Sequence, residues 1–115
     1  MELRSRILDI PANIRVLHIT GKITTKDLKA LEDHFDSLVQ GPPVKLVLDL
    51  QGVDGIDSQG VGALIKVRYD IVNRGGNIVL IGLNERVMTI LKISGLHDYF
   101  SIAPSEFKAI KILEE

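Results

Sequence analysis

Two apolar runs of strand length, residues 44–50 and 77–81, flank a helical repeat over residues 58–74, and this order constrains the fold more than any other feature. A helix of that length returns the chain to a parallel neighbouring strand, and such crossovers are right-handed almost without exception. The repeat sets Val61, Leu64, Ile65, Val67, Ile71 and Val72 on one stripe, and Gly75-Gly76 closes it. Upstream, the runs Leu3 to Asp9 and Ile14 to Thr20 are joined by Pro11-Ala12-Asn13 and read as a hairpin. A helix over residues 24–40 puts Leu28, Leu31, Phe35, Leu38 and Val39 on one face. Thr24 with Asp27 resembles a capping box at its start, and Gly41-Pro42-Pro43 ends it. A third helix runs from about Asn84 to Ser94 and closes on Gly95, with Val87, Met88 and Leu91 facing the core. A fourth takes Pro104 into its first turn and docks through Phe107, Ile110 and Leu113. The expectation is one α/β domain over residues 1–115: a mixed β-sheet, an N-terminal hairpin plus parallel βαβ crossovers, packed with about four helices.

Composition narrows the function. Leu, Ile and Val make up forty of the 115 residues, which is ample for a packed core. Fourteen Lys and Arg against fifteen Asp and Glu leave a net charge of −1, so there is no basic field to attract nucleic acid or an anionic membrane. The absence of Cys excludes disulfides, thiolate metal sites and cysteine nucleophiles. Charges at Glu2, Arg4 and Arg6 fall where a signal peptide needs an apolar stretch. The longest apolar run, Ile78 to Leu83, is far shorter than the roughly 18 residues of a membrane span. A cytoplasmic protein without membrane insertion is expected.

The most informative segment joins the buried strand to the second helix: Gln51-Gly52-Val53-Asp54-Gly55-Ile56-Asp57-Ser58-Gln59-Gly60-Val61-Gly62. In open α/β sheets, ligands collect at this end of the strands. Gly52 and Gly55 suit positive φ or close backbone approach, and Asp57 and Ser58 are both good N-cap residues. Gly60 and Gly62 each cost helix propensity, which calls for either close packing against the sheet or a partner's approach at the helix tip. Ser58 is not the nucleophile of a G-x-S-x-G elbow, because Gly55 lies one position too far upstream. His18, His34 and His97 fall on a strand, a helix and a distal loop, and nothing in the sequence sets a base beside Ser58. A phosphate loop is missing too: neither G-x-x-x-x-G-K-[ST] nor G-x-G-x-x-G occurs, and Asp54 and Asp57 would repel a nucleotide. No catalytic residue, metal set or cofactor site is expected. Arg68 falls between Leu64 and Ile71, so its stem should follow the core and its guanidinium should reach a sheet-end carboxylate.

Asp57-Ser58-Gln59-Gly60-Val61-Gly62 resembles the Asp-Ser-x-Gly-Leu-Gly signature of STAS domains, and most closely that of bacterial anti-sigma-factor antagonists. The resemblance extends to the preceding strand Leu46 to Leu50, to Gly75-Gly76 with Ile78 to Gly82, and to the step Gly21-Lys22-Ile23-Thr24. It covers nearly the whole chain. Gln59, Val61, Gly55 and Thr24 differ from the residues commonest in that family. The resemblance implies a partner-switching module without catalysis of its own. Unphosphorylated, it would bind an anti-sigma factor that is also a serine kinase, releasing a sigma factor and so regulating transcription. Phosphorylation of Ser58 would end the complex and a serine phosphatase would restore it. Thr24, Asp54, Asp57, Ser58, Gln59, Gly60 and Gly62 are the implied contact residues. The alternative within the same family is a subunit of a lipid-transport complex or a stress-sensing scaffold that holds its partner constitutively.

Overall fold

The computed structural model describes residues 1–8 and 14–114. Strands β1 (Glu2–Ile7), β2 (Ile14–Ile23), β3 (Lys45–Ile56), β4 (Asn77–Ile81) and β5 (Ser101–Ile102) form one sheet in sequential order. β1 pairs antiparallel with β2 from Glu2↔Thr20 to Ile7↔Arg15, and every later pairing is parallel. The antiparallel pair and the parallel crossovers are therefore as expected, whereas Pro11-Ala12-Asn13 and the Asp9 end of the first run lie outside the described residues. The two-residue strand β5 has no sequence pattern long enough to announce it.

Alternation along the strands splits the core into two layers. Leu17 and Ile19 on β2, Leu46, Leu48 and Leu50 on β3 and Leu80 on β4 face one side. There they meet Leu31 and Phe35 of α1 (Leu28–Leu38), Leu64 and Ile71 of α2 (Ser58–Asn73), and Val87 and Leu91 of α3 (Glu85–Ile93). Ile14, Val16, Val47, Val79 and Ile81 face the other side, where α4 (Glu106–Glu114) covers them with Ala109 and Leu113. β2, β3 and β4 are thus buried on both faces, three helices against one, which is why they read as nearly continuous apolar runs, whereas the edge strand β1 is largely exposed.

Element ends depart from the sequence pattern for local reasons. Residues 25–27 form a 3-10 turn ahead of α1, and Thr24 makes no side-chain cap; its hydroxyl lies 3.4 Å from the Asp27 carboxylate instead. Pro104 lies outside α4, because the Ser105 hydroxyl accepts the Lys108 N–H at 3.2 Å and so starts the helix at Glu106. Phe107 consequently faces solvent at 64% exposure, under Lys111, and docking falls to Ala109 and Leu113. The larger difference is in β3, which continues through six residues of the segment read as a turn and stays paired with β2 as far as Ile23↔Ile56. The pairing tolerates this extension by register shifts between His18 and Thr20 and between Gly21 and Lys22. Gly52 allows the close approach: a Cβ there would lie 2.5 Å from the Thr20 methyl group. Gly55 has open space and no positive φ, so neither reason given for it applies.

Candidate functional site

With β3 ending at Ile56, a single residue, Asp57, separates the strand from α2. Its backbone is extended, with φ −97° and ψ 179°, and its N–H donates to the Ile23 carbonyl at 3.3 Å, which ties the turn to the end of β2. Its carboxylate accepts the Gly60 N–H at 2.9 Å and its carbonyl accepts the Val61 N–H at 3.0 Å. Of the two candidate caps, Asp57 therefore fills the position and satisfies an N–H that the helix itself cannot. Ser58 becomes the first residue inside α2, exposed, with its hydroxyl released from capping.

The second carboxylate oxygen of Asp57 lies 3.5 Å from the Thr25 hydroxyl, so the segment leading into α1 touches the tip of α2 while leaving Ser58 exposed. Thr25, not the half-buried Thr24, makes this contact. Two adjacent threonines gave the sequence no means of choosing between them. Gln59 is exposed beside Ser58. Asp54 is also exposed, but it lines an open depression of about 650 Å³ with Lys22, Asn84, Glu85 and Arg86. Asn84 anchors that depression, donating to the Val53 carbonyl at 2.7 Å while capping α3 through the Val87 N–H.

The residues from β1 to α4 match the model of the STAS domain over 6–109. The chain belongs to the STAS domain family. It is 25% identical over 103 residues to the anti-sigma F factor antagonist of Paenibacillus polymyxa, covering 88% of this chain and 87% of that one. It shares its fold with an anti-sigma factor antagonist of Mycobacterium paratuberculosis at TM-score 0.83 and 20% identity, covering 99% and 96% of the two chains. The fold is also that of SpoIIAA, an anti-sigma factor antagonist. TM-scores are 0.81 for its unphosphorylated form, at 16% identity over 98% of this chain and 96% of that one, and 0.72 for the phosphorylated form from Bacillus, at 15% over 96% and 97%.

In this STAS domain the two tip glycines have different causes. Gly60 is buried, and a Cβ there would sit 2.7 Å from both the Ile23 Cγ2 and Ile56 Cγ1 methyl and methylene carbons, so packing against the sheet end dictates it. Gly62 is exposed, and a Cβ there would meet nothing within 4 Å. The single apolar stripe expected for α2 also divides. Val61, Leu64, Val67 and Ile71 are buried, whereas Ile65 is half-buried and Val72 is 40% exposed. Among the described residues Arg68 meets no sheet-end carboxylate; its guanidinium stacks 4.2 Å above the Tyr99 ring, which in turn meets Phe100 edge-on at 5.1 Å. Val87 and Leu91 are buried as expected, while Met88 is half-buried.

Two of the three histidines find partners, both away from Ser58. His18 Nδ1 lies 2.7 Å from the Asp49 carboxylate and its Nε2 accepts the Arg6 Nε–H at 3.3 Å, while Arg6 also pairs with Glu106 of α4. His97 pairs with Asp98 at 3.5 Å, and His34 has a buried ring nitrogen without a partner among the described residues. Among the described residues no group of three or more His, Cys, Asp or Glu could hold a metal ion, and no helix is long and apolar enough to cross a membrane.

Proposed function

We propose that this STAS domain is an anti-sigma factor antagonist whose binding is controlled at Ser58. Unphosphorylated, it binds an anti-sigma factor that is itself an ATP-dependent serine kinase, and the sigma factor is released to the cytoplasmic transcription machinery. The observation that carries this reading is the division of labour at the tip of α2: Asp57 caps the helix, and the exposed Ser58 hydroxyl is free to react. The kinase supplies the ATP and the base. The Ser58 oxygen attacks the γ-phosphorus, the hydroxyl proton passes to that base, and ADP leaves. The domain itself catalyses nothing and holds no cofactor.

Phosphorylation adds about 1.5 to 2 negative charges at pH 7, taking a chain of net charge −1 to roughly −3. At a helix N-terminus that charge gains about 0.3 to 1 kcal/mol from the macrodipole, so the fold persists. The partner, by contrast, would have to desolvate a dianion beside the Asp57 carboxylate. A penalty of about 3 to 4 kcal/mol weakens binding some hundreds-fold. A serine phosphatase reverses the change. Incubation with the kinase and ATP, followed by mass spectrometry, should locate one phosphate on Ser58 of the wild type and none on Ser58→Ala. Phosphate on both proteins, or on neither, would overturn the assignment.

A further inference from the structure

The solvent side of a surface helix is normally polar, and α2 breaks that rule along one row. Ser58, Gly62, Ile65, Tyr69 and Val72 follow one another at alternating steps of four and three residues, and so stand above one another on the outward face. Tyr69 is 61% and Val72 40% exposed, Gly62 is exposed and Ile65 half-buried. Ile65 rests partly against the core, while Ser58, Gly62, Tyr69 and Val72 face outward. Gly62 stands at its upper end, inside a helix that it weakens relative to Ala, and a Cβ there would meet only open space. The chain's own packing therefore gives no reason for a glycine at 62, in contrast to Gly60.

Beside the row, the charges are already satisfied. Lys66 bonds Asp70 at 3.0 Å and lies 3.6 Å from Asp36 of α1; the Asp70 hydrogen bond and charge hold its ammonium above the usual lysine range. On the other flank Arg68 is engaged over the Tyr99 ring. The row thus offers apolar surface between charged groups that are already engaged, Lys66 by carboxylates and Arg68 by an aromatic ring.

We infer that the partner which reads Ser58 extends down α2, laying its backbone against Gly62 and an apolar, uncharged surface against Ile65 and Tyr69. The inference rests on the reading of Ser58 as the acceptor, and the occupant follows from continuity: row and acceptor are one face of one helix. From Ser58 to Tyr69 is about 16 Å along the axis, so the contact is three turns long rather than a point. Gly62 lets a main chain approach closer than any other side chain would permit.

Two measurements test this. Gly62→Ala alone should raise the Tm of the isolated protein by about 4 °C or more, since it gains helix propensity and clashes with nothing. A lowered Tm would reveal an internal need for glycine and overturn the inference. In titration calorimetry against the purified anti-sigma kinase of the same genome, Gly62→Ala and Tyr69→Ala should each weaken binding at least about tenfold. Full affinity in both, with binding lost in Ser58→Glu, would overturn the row and leave the acceptor reading intact. If Ser58→Glu binds as wild type does, or wild type does not bind, the acceptor reading itself fails and the row with it.

Discussion

Asp57 and Ser58 are neighbours with opposite expected responses to truncation. Asp57→Ala removes the acceptor of the Gly60 N–H and the contact to Thr25, and should cost about 1 kcal/mol of stability. Ser58→Ala should stay within about 0.5 kcal/mol of wild type, since that side chain caps nothing. Urea unfolding of the two variants checks the order, and a reversal would make Ser58 the cap and remove the free hydroxyl. The sequence showed that one of these residues caps α2, because both types suit the position. It could not show which, since the choice turns on where β3 stops. The same limit applies at Thr24 and Thr25, where one residue of chain advance decides whether a hydroxyl faces Asp27 or Asp57.

At the level of elements, periodicity located the four α-helices and four longer strands of the described residues, because all but the exposed edge strand β1 bury a face with its own repeat. It misjudged what lay between them. β3 runs on to Ile56 because Gly52 lets it pass close to Thr20, a tertiary cause invisible in a local window rich in Gly and Asp. α2 read as one broad apolar stripe because apolar residues continue from its buried face round the flank, and only burial separates Leu64 from Val72. That separation is measurable. Leu64→Ala should cost about 2 to 5 kcal/mol and Val72→Ala less than about 0.5 kcal/mol in equilibrium unfolding. Comparable losses would mean that Val72 is packed in the isolated protein.

Across the whole molecule, the sheet sits between unequal layers, with α1, α2 and α3 on one face and α4 alone on the other. Ending the chain before Ser105 would strip Ala109 and Leu113 from Ile14, Val16, Val47, Val79 and Ile81, and would also remove Glu106 from Arg6. That truncation should abolish cooperative thermal unfolding and expose dye-binding apolar surface; a sharp transition would show that the three-helix layer suffices. The fold class was legible beforehand because a two-faced sheet writes apolar runs into its strands. The assignment of helices to faces was not, since a helix repeat does not say which side of the sheet it covers.

The lone position of α4 also offers a handle. The chain has no native thiol, so Lys108→Cys on its exposed surface would take a single fluorophore or surface tether on the side of the sheet away from Ser58. A sensor anchored there would leave the helix tip clear, so the proposed modification of Ser58 and its reversal could be sought on one immobilised molecule.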